Sequence, residues 1–317
     1  MALTTEPGPA GPGPAPAPAA PLRGGRDARR PGRRGLLLRW PVLGLAPFAI
    51  YALVFLAWPL ADVVVGAFES GNPGGGLTLA NLHAAFSGVY RQGFVTSIEL
   101  AAITAVVPGV VGLLVAYAVE TSPHGSLRRV VTTASGVFAN FGGVPLAFLF
   151  IASIGSTGMV TRWLAAIGLD PYDHGFTLYS FTGVAIVYLY FQIPLMVLVV
   201  TPALQALRPQ WREASESLGA GSWAYWRRVG APILAPSVLG AMLLLFGFGL
   251  SAYATAEALT SGSIALTSIQ IGSFLNGNVI AGQANVGKAL GLGMVLVASL
   301  SMVVYVLLQR RVSKWSQ

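Results

Sequence analysis

The stretch WREASESLGAGSWAYWRRVGAPILAP, residues 211–236, lies between two strongly apolar runs and governs how the rest of the chain is interpreted. Each of its arginine and glutamate side chains would cost about 2.5–3.5 kcal/mol at the centre of a membrane-spanning helix, so this stretch does not cross a bilayer. Pro209 favours the first turn of a short helix, and Gly219 favours a turn that ends it. Ser222 is a candidate cap for a second short helix. The stretch therefore predicts a folded pair of short helices at a membrane surface.

The composition identifies an integral membrane protein. Hydrophobic residues make up 54% of the chain, charged residues make up 9%, and the mean hydropathy is +0.68; soluble domains have about 25% charged residues. The chain has no cysteine, which excludes disulfides and thiolate ligands. Its net charge of +8 would suit a nucleic-acid partner, but the positions of the basic residues indicate a membrane partner instead.

Six apolar runs have the roughly 20 residues that are needed to cross about 30 Å of hydrocarbon. The predicted spans are 42–65, 95–119, 130–154, 179–204, 237–259 and 286–309.

The distribution of basic residues predicts which loops are cytoplasmic. Sixteen of the 19 Lys and Arg residues fall in the two termini and in the loops after the second and fourth spans. By the positive-inside rule, both termini and the 211–236 stretch face the cytoplasm. Residues 1–35 form a Pro/Ala/Gly-rich and Arg-rich tail that we expect to be disordered. Residues 36–317 form an all-α domain of six transmembrane helices.

The spacing within the 211–236 stretch resembles the EAA loop of ABC importer permeases. That family pattern is Glu-Ala-Ala, three residues, Gly, nine residues, then Ile-x-Leu-Pro. The matching positions are Glu213, Ala214, Ser215, Gly219, Val229 and Pro232. Ser215 replaces the second alanine, Val229 the isoleucine and Ala231 the leucine, and all spacings are kept. A basic, helical loop without a coupling role is the alternative interpretation.

The resemblance implies a type I ABC importer permease in the bacterial inner membrane. It implies that the loop 205–236, called here the EAA-like loop, docks on ABC ATPase subunits that bind the ATP, so the chain itself is not an enzyme. It also implies a second permease subunit, identical or different, and an extracytoplasmic solute-binding protein. In this interpretation Glu213 caps or charge-pairs at the docking interface, Gly219 makes the turn, and Trp223 and Trp226 anchor the second helix to the bundle.

Catalytic and metal sites lack their components in the sequence. The three histidines fall in predicted loops without a paired histidine, so neither a zinc site nor a Ser-His hydrolase is indicated. Residues 282–288, GQANVGK, resemble the start of a P-loop, but Ala289 stands where the motif needs Ser or Thr. We therefore expect no cofactor, metal or catalytic residue in this chain.

Polar residues within or near the spans are candidates for the translocation path. They are Asn140, Gln192, Tyr253, Glu257 and Glu99. Six of the 11 acidic residues fall on the predicted outer side, where an acidic mouth would concentrate a cation. This pattern, and the likeness to polyamine, iron and thiamine permeases, favours a spermidine- or putrescine-like solute. The alternative interpretations are hydrogen bonds between helices and carboxylates at a membrane interface, where they cost little.

An ion-gradient-driven secondary transporter is the rival function. Such a transporter is expected to show inverted repeats and an ionisable residue at mid-membrane. The two halves of this sequence do not repeat convincingly, and no charge falls in the middle of a span.

Overall fold

The structure is a computed structural model that describes residues 39–71, 76–277 and 283–313. The predicted tail of residues 1–35 lies outside these ranges. The chain divides after Phe55 into two units, which are described separately. In the first unit, helix α1 spans Arg39–Ala52 and contains Pro47, and the rings of Tyr51 and Phe55 are 5.0 Å apart.

The second unit is built from helices. After a π-helical turn, Leu53–Ala57, that begins in the first unit, they are α2 Trp58–Phe68, α3 Ala80–Ala85, α4 Gly88–Glu120, α5 Gly125–Asn140, α6 Gly143–Ile154, α7 Met159–Ala166, α8 Phe181–Gln205, α9 Pro209–Ser217, α10 Ser222–Tyr225, a second π-helical turn Trp226–Gly230, α11 Ala231–Ser251, α12 Ala254–Thr260, α13 Thr267–Leu275 and α14 Ala284–Ser313. Glu69 and Leu77 form an isolated β-bridge between α2 and α3.

Six segments of the described chain are long and apolar enough to cross a membrane, which agrees with the predicted number. They are Leu45–Phe68, Gly88–Thr121, Gly143–Ala166, Phe181–Gln205, Ser222–Ser251 and Asn285–Arg310. The first, second, fourth and sixth overlap the predicted spans almost completely.

The third predicted span, 130–154, is not one continuous helix. Helix α5 ends at Asn140, and α6 begins at Gly143, which has a φ of +74°. This left-handed conformation strongly favours glycine, and Pro145 in the next turn has no N–H to donate. The two features break the helix, so the apolar segment of spanning length starts at Gly143.

The fifth predicted span, 237–259, is displaced. The helical run of this span starts earlier, at Ser222, and continues through the second π-helical turn into α11 at Ala231. It ends at Ser251, and a short break at Ala252 and Tyr253 separates it from α12. Two of the predicted spans are therefore interrupted in the described residues, one before α6 and one before α12.

Helix α8 is the central element of the second unit and packs against α4, α5 and α11. Its side chains Tyr188, Gln192 and Met196 are fully buried. Gly112 on α4 allows close contact with α8, since an added Cβ would lie 3.0 Å from the carbonyl oxygen of Ile193. Small residues permit such close packing between membrane helices.

Candidate coupling loop and translocation path

The EAA-like loop has the predicted first helix and glycine turn, but the prediction of a second short helix is wrong, because α10 continues through the second π-helical turn into α11 and the fifth span. Pro209 occupies the first turn of α9. Gly219 has a φ of +75°, and its N–H donates to the carbonyl oxygen of Glu216 at 2.9 Å. Such a left-handed residue after a helix satisfies the last carbonyls, and glycine adopts it without steric cost. The predicted cap is wrong, because Gly221 occupies the N-cap position of α10 and Ser222 is its first helical residue.

Aromatic packing fixes the second part of the loop to the bundle. The ring of Trp226 meets that of Tyr117 on α4 edge to face, with centroids 5.1 Å apart. An added Cβ on Gly230 would lie 2.6 Å from the Trp226 ring, so glycine is needed there for this packing. The predicted anchoring role is thus supported for Trp226. It is wrong for Trp223, whose side chain is 79% exposed.

A mainly apolar cleft of about 500 Å³, open to solvent, lies between α9 and the helix that follows the turn, and Arg228 is the charged residue in its lining. The motif residues Ala214, Ser215 and Val229 line this cleft together with Leu218, which is 87% exposed. Glu213 is exposed, and its predicted role at a docking interface stays a prediction.

A polar cluster that the sequence did not reveal ties three helix ends together beside the loop. Glu120, at the end of α4, accepts a hydrogen bond from Gln205 Nε2 at 3.1 Å and pairs with Arg128 at 3.3 Å. Arg128 also donates to the carbonyl oxygen of Glu120 at 2.8 Å. The ends of α4, α5 and α8 are therefore linked through one carboxylate whose side chain is only 11% exposed.

The two helix breaks meet at a cavity of about 280 Å³. The N–H of Gly143 donates to the hydroxyl of Thr255 at 3.0 Å, which joins the start of α6 to α12. At the second break, the hydroxyl of Tyr188 donates to the carbonyl oxygen of Ala252 at 2.7 Å. The first bond joins the two interrupted segments, and the second fixes the break after α11 to α8, so polar backbone at the breaks faces a cavity rather than lipid.

A model of the family described as binding-protein-dependent transport system inner membrane component matches residues 108–315. The chain belongs to this family. It is therefore a membrane permease component of an ABC importer, and the interpretation as a transport subunit rather than an enzyme is confirmed.

The permease is similar to sulfate transport proteins over part of its length. It is 32% identical to the sulfate transport system permease protein CysT of Escherichia coli K12 over 104 residues, which are 33% of this chain and 34% of the relative. It is 29% identical to CysT of Synechocystis over 198 residues, or 61% and 64% of the two chains. The E. coli inner membrane ABC transporter permease protein YdcU is 23% identical over 186 residues, 55% of this chain. The aligned parts span less than two thirds of these relatives.

Solved structures confirm the fold. A chain in the crystal structure of a bacterial ABC transporter involved in the import of the acidic polysaccharide alginate superposes with a TM-score of 0.71, covering 88% of the permease and 98% of that chain at 19% identity. A second crystal structure, of bacterial alginate ABC transporter in complex with alginate pentasaccharide-bound periplasmic protein, gives 0.72.

The permease brings two of the five predicted path residues together. Asn140 and Tyr253 both line the cavity at the helix breaks. Gln192 lies outside its lining; it is fully buried, and its amide forms no hydrogen bond with the described residues. Glu257 also lies outside the lining, with a buried Oε2 that has no hydrogen-bond partner there. Glu99 is exposed on α4.

Sequence reasoning missed the role of Thr255, because the bond to Gly143 joins residues 112 positions apart. Asp62 is one of the six acidic residues that the sequence places on the outer side. In the structure Asp62 pairs with Lys288 at 3.0 Å, so its charge is offset locally.

Proposed function

We propose that the permease is one of two membrane subunits of an ATP-driven importer for a small oxyanion. The EAA-like loop faces the cytoplasm and docks on an ATPase subunit that binds and hydrolyses ATP. The solute arrives on an extracytoplasmic binding protein and crosses between the two permeases. The observation on which this proposal rests is the Gly219 turn, beside which the exposed cleft opens, while Trp226 ties the same loop to α4.

The direction of the loop is inferred from charge. The described bases near the loop end of the bundle include Arg128, Arg129, Arg208, Arg212, Arg227 and Arg228, whereas those of the described chain at the other end are Arg91 in α4, Arg162 in α7 and Lys288 in α14. Together with the basic tails in the sequence, this bias favours a cytoplasmic position for the loop. An exposed apolar cleft of this size on a polar loop suits a protein partner.

An oxyanion is favoured over a cation by two observations. The residues lining the cavity at the helix breaks include no carboxylate, whereas hydroxyl and amide groups of Asn140, Ser251 and Tyr253 line it. The Ser251 hydroxyl and one amide hydrogen of Asn140 donate to carbonyl oxygens of their own helices, each at 2.8 Å, so the Tyr253 hydroxyl and the second amide hydrogen of Asn140 are the groups that can donate to an anion without adding charge. The permeases named for sulfate transport and the structures of an alginate importer point in the same direction. They offer no support for a spermidine- or putrescine-like solute.

Site-directed cross-linking tests the docking role. The chain has no cysteine, so a single Leu218→Cys substitution introduces one thiol at a side chain that is 87% exposed. After labelling with a photo-crosslinker, this position is expected to cross-link to an ATPase subunit. Met159→Cys, at a 75% exposed side chain predicted to face outward, is the matched control and is expected not to. Absence of an ATPase adduct at position 218, or equal adducts at both positions, would contradict the proposal.

Uptake measurements test the solute. Proteoliposomes that contain the permease, its co-purifying subunits and the cognate binding protein are expected to accumulate sulfate in an ATP-dependent manner and not spermidine. Accumulation driven by a proton or sodium gradient without ATP would indicate a secondary transporter instead.

A further inference from the structure

A second cavity, of about 420 Å³, lies between α9 and the ends of α4, α5 and α8. No residue lines both this cavity and the cleft proposed for ATPase docking. Arg208 and Arg212 of the α9 region line the cavity, whereas Trp211 and Leu218 line the cleft. Different residues of α9 therefore border the cavity and the cleft. An ATPase subunit docked in the cleft would not fill the cavity between α9 and the bundle.

The lining of this cavity is positively charged. It includes three arginines, Arg128, Arg208 and Arg212, and one carboxylate, Glu120. Arg128 pairs with Glu120, and Arg212 pairs with Glu216 on the neighbouring turn at 3.0 Å. The hydrogen bond to Glu216 raises the pKa of Arg212 above its ordinary value. Arg208 forms no ion pair with any part of the chain that the structure describes, so its charge is left uncompensated beside the cavity.

The cavity also lies at the level where a membrane span ends. The apolar part of α4 ends at Val119, directly before Glu120. Tyr117, Tyr225 and Trp226 line the cavity alongside the arginines. Tyrosine and tryptophan are typical of the membrane–water interface, because one end of each ring system is apolar and the other is polar. A ligand here would contact both an aromatic wall and a cluster of cationic groups.

We infer that this cavity binds the phosphate group of an anionic ligand, with Arg208 as the principal contact and Arg212 as the second. Guanidinium groups bind phosphate through paired hydrogen bonds, and basic pockets between helices on the cytoplasmic side of a membrane suit anionic headgroups. The phosphate comes either from an anionic phospholipid or from free inorganic phosphate. The inference relies on the proposed function for the cytoplasmic position of the loop. A bound phosphate would bridge α9 to the bundle and so hold the EAA-like loop in place.

Binding is measured on the full-length chain, together with the subunits that co-purify with it, in lipid nanodiscs. Native mass spectrometry and thermal unfolding are followed as phosphatidylglycerol is titrated into phosphatidylcholine. A parallel series adds inorganic phosphate to nanodiscs of phosphatidylcholine alone. The central comparison is Arg208→Gln against Arg227→Gln, which removes the same charge from an exposed position of the same loop outside the cavity. We expect roughly tenfold weaker binding in Arg208→Gln and unchanged binding in Arg227→Gln, as for the loss of a charge-assisted hydrogen bond.

Glu216→Gln is expected to strengthen binding, a result that misfolding of the variant could not produce. It removes the partner of Arg212, whose freed guanidinium is expected to tighten phosphate binding severalfold. A response to phosphatidylglycerol alone assigns the phosphate to lipid, and a response in the inorganic phosphate series assigns it to the free anion. Equal binding by the Arg208 and Arg227 variants, or no binding of either source to the unmodified chain, overturns the inference. Since none of these measurements uses uptake or an ATPase, they remain decisive even if the cross-link at position 218 fails.

Discussion

The EAA-like loop and the cavity at the helix breaks differ in how far apart along the chain their defining contacts lie. The turn of the loop is closed by bonds such as that from Ala220 N to Ser215 O, between close neighbours in sequence. The cavity depends on the bond between Gly143 and Thr255, which spans 112 positions. The first kind of structure is encoded locally by residue type and spacing. The second exists only after distant helices have packed, and each of the predictions below tests one side of this contrast.

The largest effect is expected from replacing the glycine of the turn. Gly219→Thr places a β-branched residue at a φ of +75°, which costs about 1–2 kcal/mol or more in backbone strain although nothing lies within 4 Å of the new Cβ. We expect uptake to be lost while membrane insertion is normal, because the strained turn redirects α10 relative to α9. Uptake in proteoliposomes and protein level in the membrane are the two measurements.

Gly221→Thr is the matched control for that change. Gly221 also has open space around it, but its φ is −68° and it occupies an N-cap position, where threonine is accepted. Uptake by this variant should remain near normal. If the two threonine variants transported equally well, the conformation of Gly219 would have no part in coupling.

Next in size is the effect of removing the aromatic anchor. Trp226→Ala loses the ring contact with Tyr117 and most of its partly buried surface, which should lower the free energy of unfolding by about 2 kcal/mol, less than the 3–5 kcal/mol of a fully buried tryptophan. Trp223→Ala, at a 79% exposed side chain, should change stability by less than about 0.5 kcal/mol. Thermal unfolding of the two purified variants measures this difference, and a similar loss in both would show that the anchor is misassigned.

A smaller effect is expected at the helix breaks. Thr255→Val leaves the N–H of Gly143 without its partner and should cost about 1–2 kcal/mol. Thr260→Val is the control, since its equally buried hydroxyl bonds only within its own helix, to the carbonyl oxygen of Ala256. We expect Thr255→Val to reduce the rate of uptake more than Thr260→Val does, at matched expression. If Thr260→Val reduced the rate of uptake more than Thr255→Val did, the cavity would not be part of the translocation path.

The same contrast explains what could be predicted from the sequence. Hydropathy and residue spacing are properties of short stretches of sequence. They predict the six apolar runs, the position of the EAA-like loop and its glycine turn. Gly143 and Pro145 do not by themselves predict the break before α6, because both residue types are also tolerated inside membrane helices. Trp223 and Trp226 look equivalent in sequence, and only the position of Tyr117 on another helix distinguishes the exposed ring from the anchored one. Likewise, the grouping of Asn140 with Tyr253, and the separation of both from Gln192, depends on how α5, α8 and α11 pack.

The smallest effect should be found at Glu257, one of the six acidic residues on the predicted outer side that favour a cationic solute. Its carboxylate lies outside the cavity lining, so for an oxyanion the Glu257→Gln substitution should change the KM for uptake by less than about twofold, since no charge that contacts the solute is removed. Glu69→Gln, at an exposed side chain, provides the baseline for a neutral change on the same predicted side. A large rise in the KM of Glu257→Gln alone would mean that the solute passes close to this carboxylate. In that case the translocation path would pass through the acidic outer mouth predicted from the sequence rather than through the cavity at the helix breaks, whose lining has no carboxylate.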